Sequence, residues 1–226
     1  PLRLYRLADS IQPPTRAGEQ NERGVLKVED REILRELGRR KVEIGNLPIQ
    51  KERAGLWCRL NKLQPVRPLV SICQIPWHEL DWTGELEMRC QDPLLRSIEM
   101  ELRTELHQWT HFPGDMVVEP VIYSALVGGP SSGYGDYGLV EQQIKGEGGH
   151  DVGFAPIIHT EADADKIRTP YVWFDRDATE KNYQTLCQVF DGVISVKKRG
   201  IVHQWQSPWD QIIHWYGIEQ LYTDMY

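Results

Sequence analysis

From Asp30 onward the apolar residues Ile33, Leu34, Leu37, Val42 and Ile44 recur every 3–4 positions, which predicts an amphipathic helix. NLP at 46–48 interrupts that stripe and restarts it, with Pro48 early in a second helix and Leu56, Trp57, Leu60 and Leu63 on its expected buried face. Two antiparallel helices are therefore expected ahead of any sheet. The pattern then shortens. RPLVSICQIP, residues 67–76, is apolar and β-branched, closes on Pro76, and predicts a first buried strand. Asp92-Pro93 offers an N-cap followed by a first-turn proline, opening a helix that carries Leu95, Ile98, Leu102, Leu106 and Trp109. HFPGDMVVEPVIYSALVGG, residues 111–129, then predicts a turn and a second strand over 115–119.

Further along, Asp177 with Glu180 has the spacing of a capping box, opening a helix through Leu186 and Phe190. Residues 192–201 carry strand signal, and Ser207-Pro208 with Asp210 opens a helix that runs past Ile212, Ile213 and Tyr216 to Gly217 as its C-cap. Alternating β and α units favour an α/β fold with parallel strands and helices outside. The chain divides into a polar arm at 1–24, a helical segment at 25–66 and a sheet-bearing part at 67–226. Eight glycines between Gly128 and Gly149 fit no phosphate-binding motif and read as a long mobile loop, placed to close over a ligand.

Charge narrows the class. A formal net charge of -7, from 26 Lys and Arg against 33 Asp and Glu, argues against a nucleic-acid backbone as partner. No apolar run approaches the roughly 20 residues that span a bilayer, so a cytoplasmic protein without a membrane segment is expected. The first residue is Pro1 and GIEQLYTDMY at the other end still has helical character, which points to a fragment. Cys58, Cys73, Cys90 and Cys187 are too widely spaced for a disulfide framework or a closed zinc site, and read as reduced thiols. No metal ligand set is expected from this pattern.

HFPGDMVVEPVIY, the glycine-rich segment after it, and FAPIIHTEADADKIRTP together resemble the uroporphyrinogen decarboxylase superfamily, whose "FPxD" turn leads into an apolar strand. SPWDQIIHWYGIEQLYTDMY resembles the family segment in which a strand-end proline opens a helix, and RPLVSICQIPWHEL fits the position of its first barrel strand. The resemblance covers residues 30–226 and implies the first part of a (β/α)8 TIM barrel preceded by N-terminal helices. It also implies chemistry on the loops at the strand C-terminal ends. Two departures matter. The first strand end, CQIPWHEL, lacks the arginines that hold substrate carboxylates in the decarboxylases, and the aspartate position of the second strand falls near Ile122. A carboxylate-rich tetrapyrrole would meet glutamates where it needs guanidinium groups.

Glu119 raises the central question, because an ionised carboxylate among Val117, Val118, Val121 and Ile122 costs several kcal/mol if buried without a partner. The resemblance places it near the C-terminal end of the second strand, facing the barrel mouth, with Trp77, His78 and Glu79 as neighbours after the first strand. Glu119, Glu79 and His78 are thus the expected acid/base residues. Trp77, Tyr123, His203, Gln204 and Trp205 are the expected substrate contacts. His107, His111 and His214 lie on helix patterns and read as surface or packing residues.

The resemblance implies a corrinoid (cobalamin)-linked methyltransferase acting on a small substrate, with a corrinoid protein as methyl donor or acceptor. A thiol-activating zinc would be held later in the barrel. The alternatives are a uroporphyrinogen decarboxylase of tetrapyrrole biosynthesis, a non-catalytic ligand-binding barrel, and a glycoside hydrolase using Glu79 and Glu119 as its carboxylate pair.

Overall fold

The computed structural model describes residues 27–129, 137–145, 152–169, 172–200 and 207–226. In chain order the elements are α1 (Val28–Gly45), α2 (Pro48–Asn61), α3 (Trp77–Leu80), α4 (Pro93–His111), β1 (Val121–Ala125), β2 (Gly128–Gly129), β3 (Gln143–Lys145), β4 (Val152–Phe154), β5 (Trp173–Phe174), α5 (Arg176–Phe190), β6 (Ser195–Arg199), α6 (Pro208–Tyr216) and α7 (Ile218–Asp224). The arm expected over 1–24 lies outside the described residues.

The stripe that predicted α1 buries Leu34 and Leu37 against α4 and α5. Helix α4 answers with Leu95, Ile98, Leu102 and Leu106, one face at helical spacing, and α5 with Leu186, Val189 and Phe190. Full burial of each of these large side chains stabilises by about 1.5–3 kcal/mol. As its sequence predicted, α4 opens on Asp92, whose carboxylate accepts from the amides of Leu94 (2.9 Å) and Leu95 (3.1 Å). Asp175 caps α5 by accepting from Ala178 at 2.8 Å, so the cap falls two residues before the predicted Asp177.

The main sheet is the parallel pair β1 and β6, joined through α5, in register Val121 to Ser195 through Ala125 to Arg199. Ile122 and Val196 face the helical core, and Lys198 reaches Glu180 on α5. The opposite face carries Tyr123 and Arg199. Helix α5 packs directly on the parallel pair, and α1 packs in turn on α5 and α4. The fold is α/β, a mixture of helices and small sheets. The described strands form three separate two-stranded sheets, β1 with β6, β2 with β5 and β3 with β4, and close no barrel.

Several expectations are corrected. Residues 67–76 form no strand; they run extended and are tied to the α4–β1 turn instead. The second strand begins at Val121, not 115, so Glu119 lies before its N-terminal end rather than near its C-terminal end. α2 does not pack along α1 as an antiparallel partner, and Leu60 and Leu63 on its expected buried face are exposed. Within the glycine-rich segment Gly128–Gly129 pairs with Trp173–Phe174 and Gln143–Lys145 with Val152–Phe154, while 130–136 and 146–149 of the expected mobile loop lie outside the described residues.

The turn HFPGD shows why 67–70 stays where it does. Gly114 has φ +48, and a Cβ there would meet the Val70 carbonyl oxygen at 2.8 Å. That close approach lets the Asp115 amide donate to Val70 O at 2.9 Å while the Asp115 carboxylate accepts from the Val70 amide at 2.8 Å. The indole of Trp57 donates to the Asp115 carbonyl at 2.7 Å, tying α2 to the same turn. The "FPxD" aspartate is therefore an architectural bracket.

Candidate functional site

Between the Tyr123 face of β1 and β6 and helices α1, α3 and α4 lies a groove of about 450 Å³ whose walls include Lys41, Trp77, Glu101, Glu105, Glu119, Tyr123 and Arg199. Each wall residue has a structural reason to be there. Tyr123 sits mid-strand at an odd position of β1, so the two-residue period turns it away from the core that holds Ile122. Arg199 ends β6 two positions beyond the Tyr123 register and lays its guanidinium over the Tyr123 ring, 4.1 Å from the centroid. Lys41 leaves α1 almost buried and pairs with Glu105 of α4 at 2.7 Å.

Glu119 resolves the puzzle its neighbours set. Val118 and Val121 are buried at 1% and 5% exposure, but Glu119 itself is exposed, because the chain enters β1 through Pro120 and turns this side chain outward. Its carboxylate accepts from the Tyr123 hydroxyl at 2.8 Å. That hydrogen bond raises the Tyr123 phenol above its ordinary pKa, with burial adding to it. The result is a chain of three groups, carboxylate to phenol to guanidinium, lying along one strand face.

Of the residues singled out from sequence, the structure brings Trp77, Glu119 and Tyr123 together in this groove. His78 and Glu79, on the one-turn helix α3, are 3.5 Å apart, with side chains 69% and 67% exposed, and neither lines it. The expected use of Glu79 and Glu119 as a carboxylate pair therefore has no common mouth here. His203, Gln204 and Trp205 lie outside the described residues. Cys73, expected on a strand near the site, is exposed on the extended segment.

Lys41, Glu105 and Arg199 were missed. A buried lysine on an amphipathic helix gives no sequence signal until its partner is known, and Arg199 sits in the basic run KKR that reads as solvated surface. A deeply buried carboxylate does exist, but it is Glu99. It is fully buried on α4, where it accepts from the amides of Arg89 (2.9 Å) and Cys90 (2.8 Å) and from the Arg103 side chain (2.8 Å). Burial pushes its carboxyl up, while the Cys90 amide, Arg103 and the Arg89 amide outweigh that and leave it below the usual range.

A larger cleft of about 740 Å³ separates α1 from α5 and is lined by Arg31, Glu32, Arg35, Cys187 and Asp191. Arg35 is committed there to the carbonyls of Val189 (3.0 Å) and Asp191 (2.7 Å), closing the C-terminal end of α5. That cleft is a helix-capping arrangement and offers less chemistry than the Tyr123 groove. No helix among the described residues is long and apolar enough to cross a membrane. The chain matches no protein-family model, no curated protein and no solved structure.

Proposed function

We propose that the chain forms the first part of a uroporphyrinogen decarboxylase-like (β/α)8 barrel, and that the Tyr123 groove receives a small substrate for corrinoid-linked methyl transfer. The observation that carries this reading is the Glu119–Tyr123–Arg199 chain on the face of a parallel β–α–β unit turned away from its crossover helix α5. In a barrel that face is the interior, and the strand C-terminal ends, where Arg199 sits, are where substrate is met. Tyr123 is then the group that donates to or orients the substrate. Glu119, behind it, is a positioning residue that fixes the direction of the phenolic proton. Trp77 supplies a flat apolar wall.

Charge favours methyl transfer over decarboxylation of a polycarboxylate. Glu101, Glu105 and Glu119 face the groove against Lys41 and Arg199, and Lys41 is already paired. The methyl carrier in this reading is a corrinoid protein. In this reading the zinc that activates a thiol is held in a later part of the barrel.

The test is transfer of the methyl group from methylcobalamin to a thiol, followed by the visible absorbance of the corrinoid. Tyr123→Phe and Glu119→Gln are expected to slow it by about 10²-fold or more, the usual scale for a positioned proton donor, with thermal melts near wild type. Rates unchanged in both variants, or consumption of uroporphyrinogen in place of methylcobalamin, would overturn the reading.

A further inference from the structure

We propose that Glu85, His107 and His111 form a binding site for a divalent transition metal of the zinc type, separate from the Tyr123 groove. The two histidines stand four residues apart on α4, so their rings lie one above the other on one helix face, with centroids 4.3 Å apart. Both aim at a single atom. His107 Nδ1 lies 2.9 Å and His111 Nε2 3.1 Å from Glu85 Oε2, and all the donor atoms fall within 4.8 Å of one another. Around a tetrahedral zinc with bonds of about 2.0–2.2 Å, donors stand roughly 3.3–3.5 Å apart. Slight widening of two existing contacts therefore makes room for the ion, which replaces the protons now between the rings and the carboxylate.

An ordinary surface ion pair would leave its partners loose, and these are held. His107 is 7% exposed, packed edge-on against Trp77 at 6.2 Å and Phe112 at 5.9 Å, so the direction of its Nδ1 is set by packing. Glu85 is placed by its backbone. Arg103 donates to its carbonyl at 3.0 Å, Gly84 turns the chain at φ +73, and Leu86 is buried with its amide donating to Asp81 at 3.1 Å. Such support of ligands by neighbouring groups is what metal sites require. A cavity of about 100 Å³ adjoins Glu85 and His107, enough for the waters that complete a three-ligand site. Arg40 and Arg103 line that cavity and favour hydroxide or another anion at the open positions; Arg103 is itself paired with Glu99 at 2.8 Å. Two imidazoles and one carboxylate suit zinc, cobalt or nickel over magnesium or calcium. Because Trp77 touches His107 and also lines the Tyr123 groove, metal binding has a direct route to that groove.

The test uses the whole chain, stripped of metal by chelator, with Cys58 and Cys73 replaced by serine so that exposed thiols do not bind the probe. Cobalt(II) alone is titrated in and followed by its visible d–d absorption, then displaced by zinc. One cobalt per chain is expected, with the strong bands of four- or five-fold coordination. Because His111 and Glu85 are more exposed than His107, His111→Ala and Glu85→Gln are expected to keep the wild-type melting profile while weakening cobalt binding about 100-fold. Absence of stoichiometric binding, bands of a hexa-aquo ion only, or wild-type affinity in both variants overturns the site.

Discussion

Asp115 grips Arg67 with both carboxylate oxygens, each meeting a different terminal nitrogen of a guanidinium 48 residues earlier in the chain. The pair fastens an extended, ladder-free segment to the turn that launches β1. Hydrogen bonding from Arg67, followed by the Val70 amide, holds the Asp115 carboxyl well below the usual carboxylate range. Asp115→Asn keeps the shape and removes the charge. The expected result is a melting temperature lower by several degrees and early thermolysin cleavage within residues 69–72, read by limited proteolysis of folded protein.

Glu99 is the carboxylate whose loss the core tolerates least. It is fully buried and satisfies two amides and Arg103, so Glu99→Ala strands all three donors at once. The expected cost is about 3–5 kcal/mol by denaturant titration. A loss below about 1 kcal/mol, typical of an exposed pair, would contradict its burial.

Acid should weaken the protein in part through these same two groups. A carboxyl held low in the folded state contributes stability at every pH above its unfolded value, near 4, and gives it up as the pH falls further. The melting temperature is therefore expected to stay level from neutrality to about pH 5 and to drop below about pH 4. Replacing Asp115 by Asn should make that drop shallower, which a pH series of thermal melts would reveal.

Two glycines in helices should respond with opposite signs to the same substitution. Gly55 is inside α2 with open space around it, so Gly55→Ala is expected to stabilise by about 0.5–1 kcal/mol. At Gly45, the last residue of α1, a Cβ would meet the Pro120 backbone nitrogen at 2.9 Å and ring carbons at 3.0 Å. Gly45→Ala should therefore destabilise and disturb the entry into β1. Calorimetry on both variants distinguishes the two outcomes.

The four cysteines should divide by accessibility. Burial pushes the Cys90 thiol up to about 12, and it is fully enclosed, whereas Cys58 and Cys73 are exposed. Alkylation of native protein followed by mass spectrometry is expected to label Cys58 and Cys73 quickly and Cys90 only after unfolding.

Helices were legible because each carries its own evidence: the Leu95–Leu106 stripe with Asp92 as cap, the Leu34–Leu37 stripe, and Pro208 with Gly217 at the ends of α6. Strands were less so. RPLVSICQIP has strand composition but finds no ladder: both backbone groups of Val70 go to Asp115, and the Ile72 carbonyl accepts from the Gln108 side chain. MVVEPV reads as a strand yet delays pairing until Val121, where β6 supplies a partner 74 positions further on in the register Val121 to Ser195. Glu119 and Glu99 show the limit at the level of single residues. A helix hides a buried carboxylate among exposed ones, and only the amides of Arg89 and Cys90, brought up by a loop, distinguish Glu99. The His107 and His111 spacing was visible in the sequence, whereas its convergence on Glu85 depends on the turn at Gly84.

Arg35 of α1 closes the end of α5 by bonding Val189 across 154 residues. The apolar stripe of α1 packs on the same distant helix. During synthesis at about 5–20 residues per second, that stripe waits on the order of ten to thirty seconds before its partner has been made. Helix α4 reaches Leu34 and Leu37 sooner, but the side of that cluster completed by Leu186, Val189 and Phe190 stays open to chaperones, or to other nascent chains, for all of that interval.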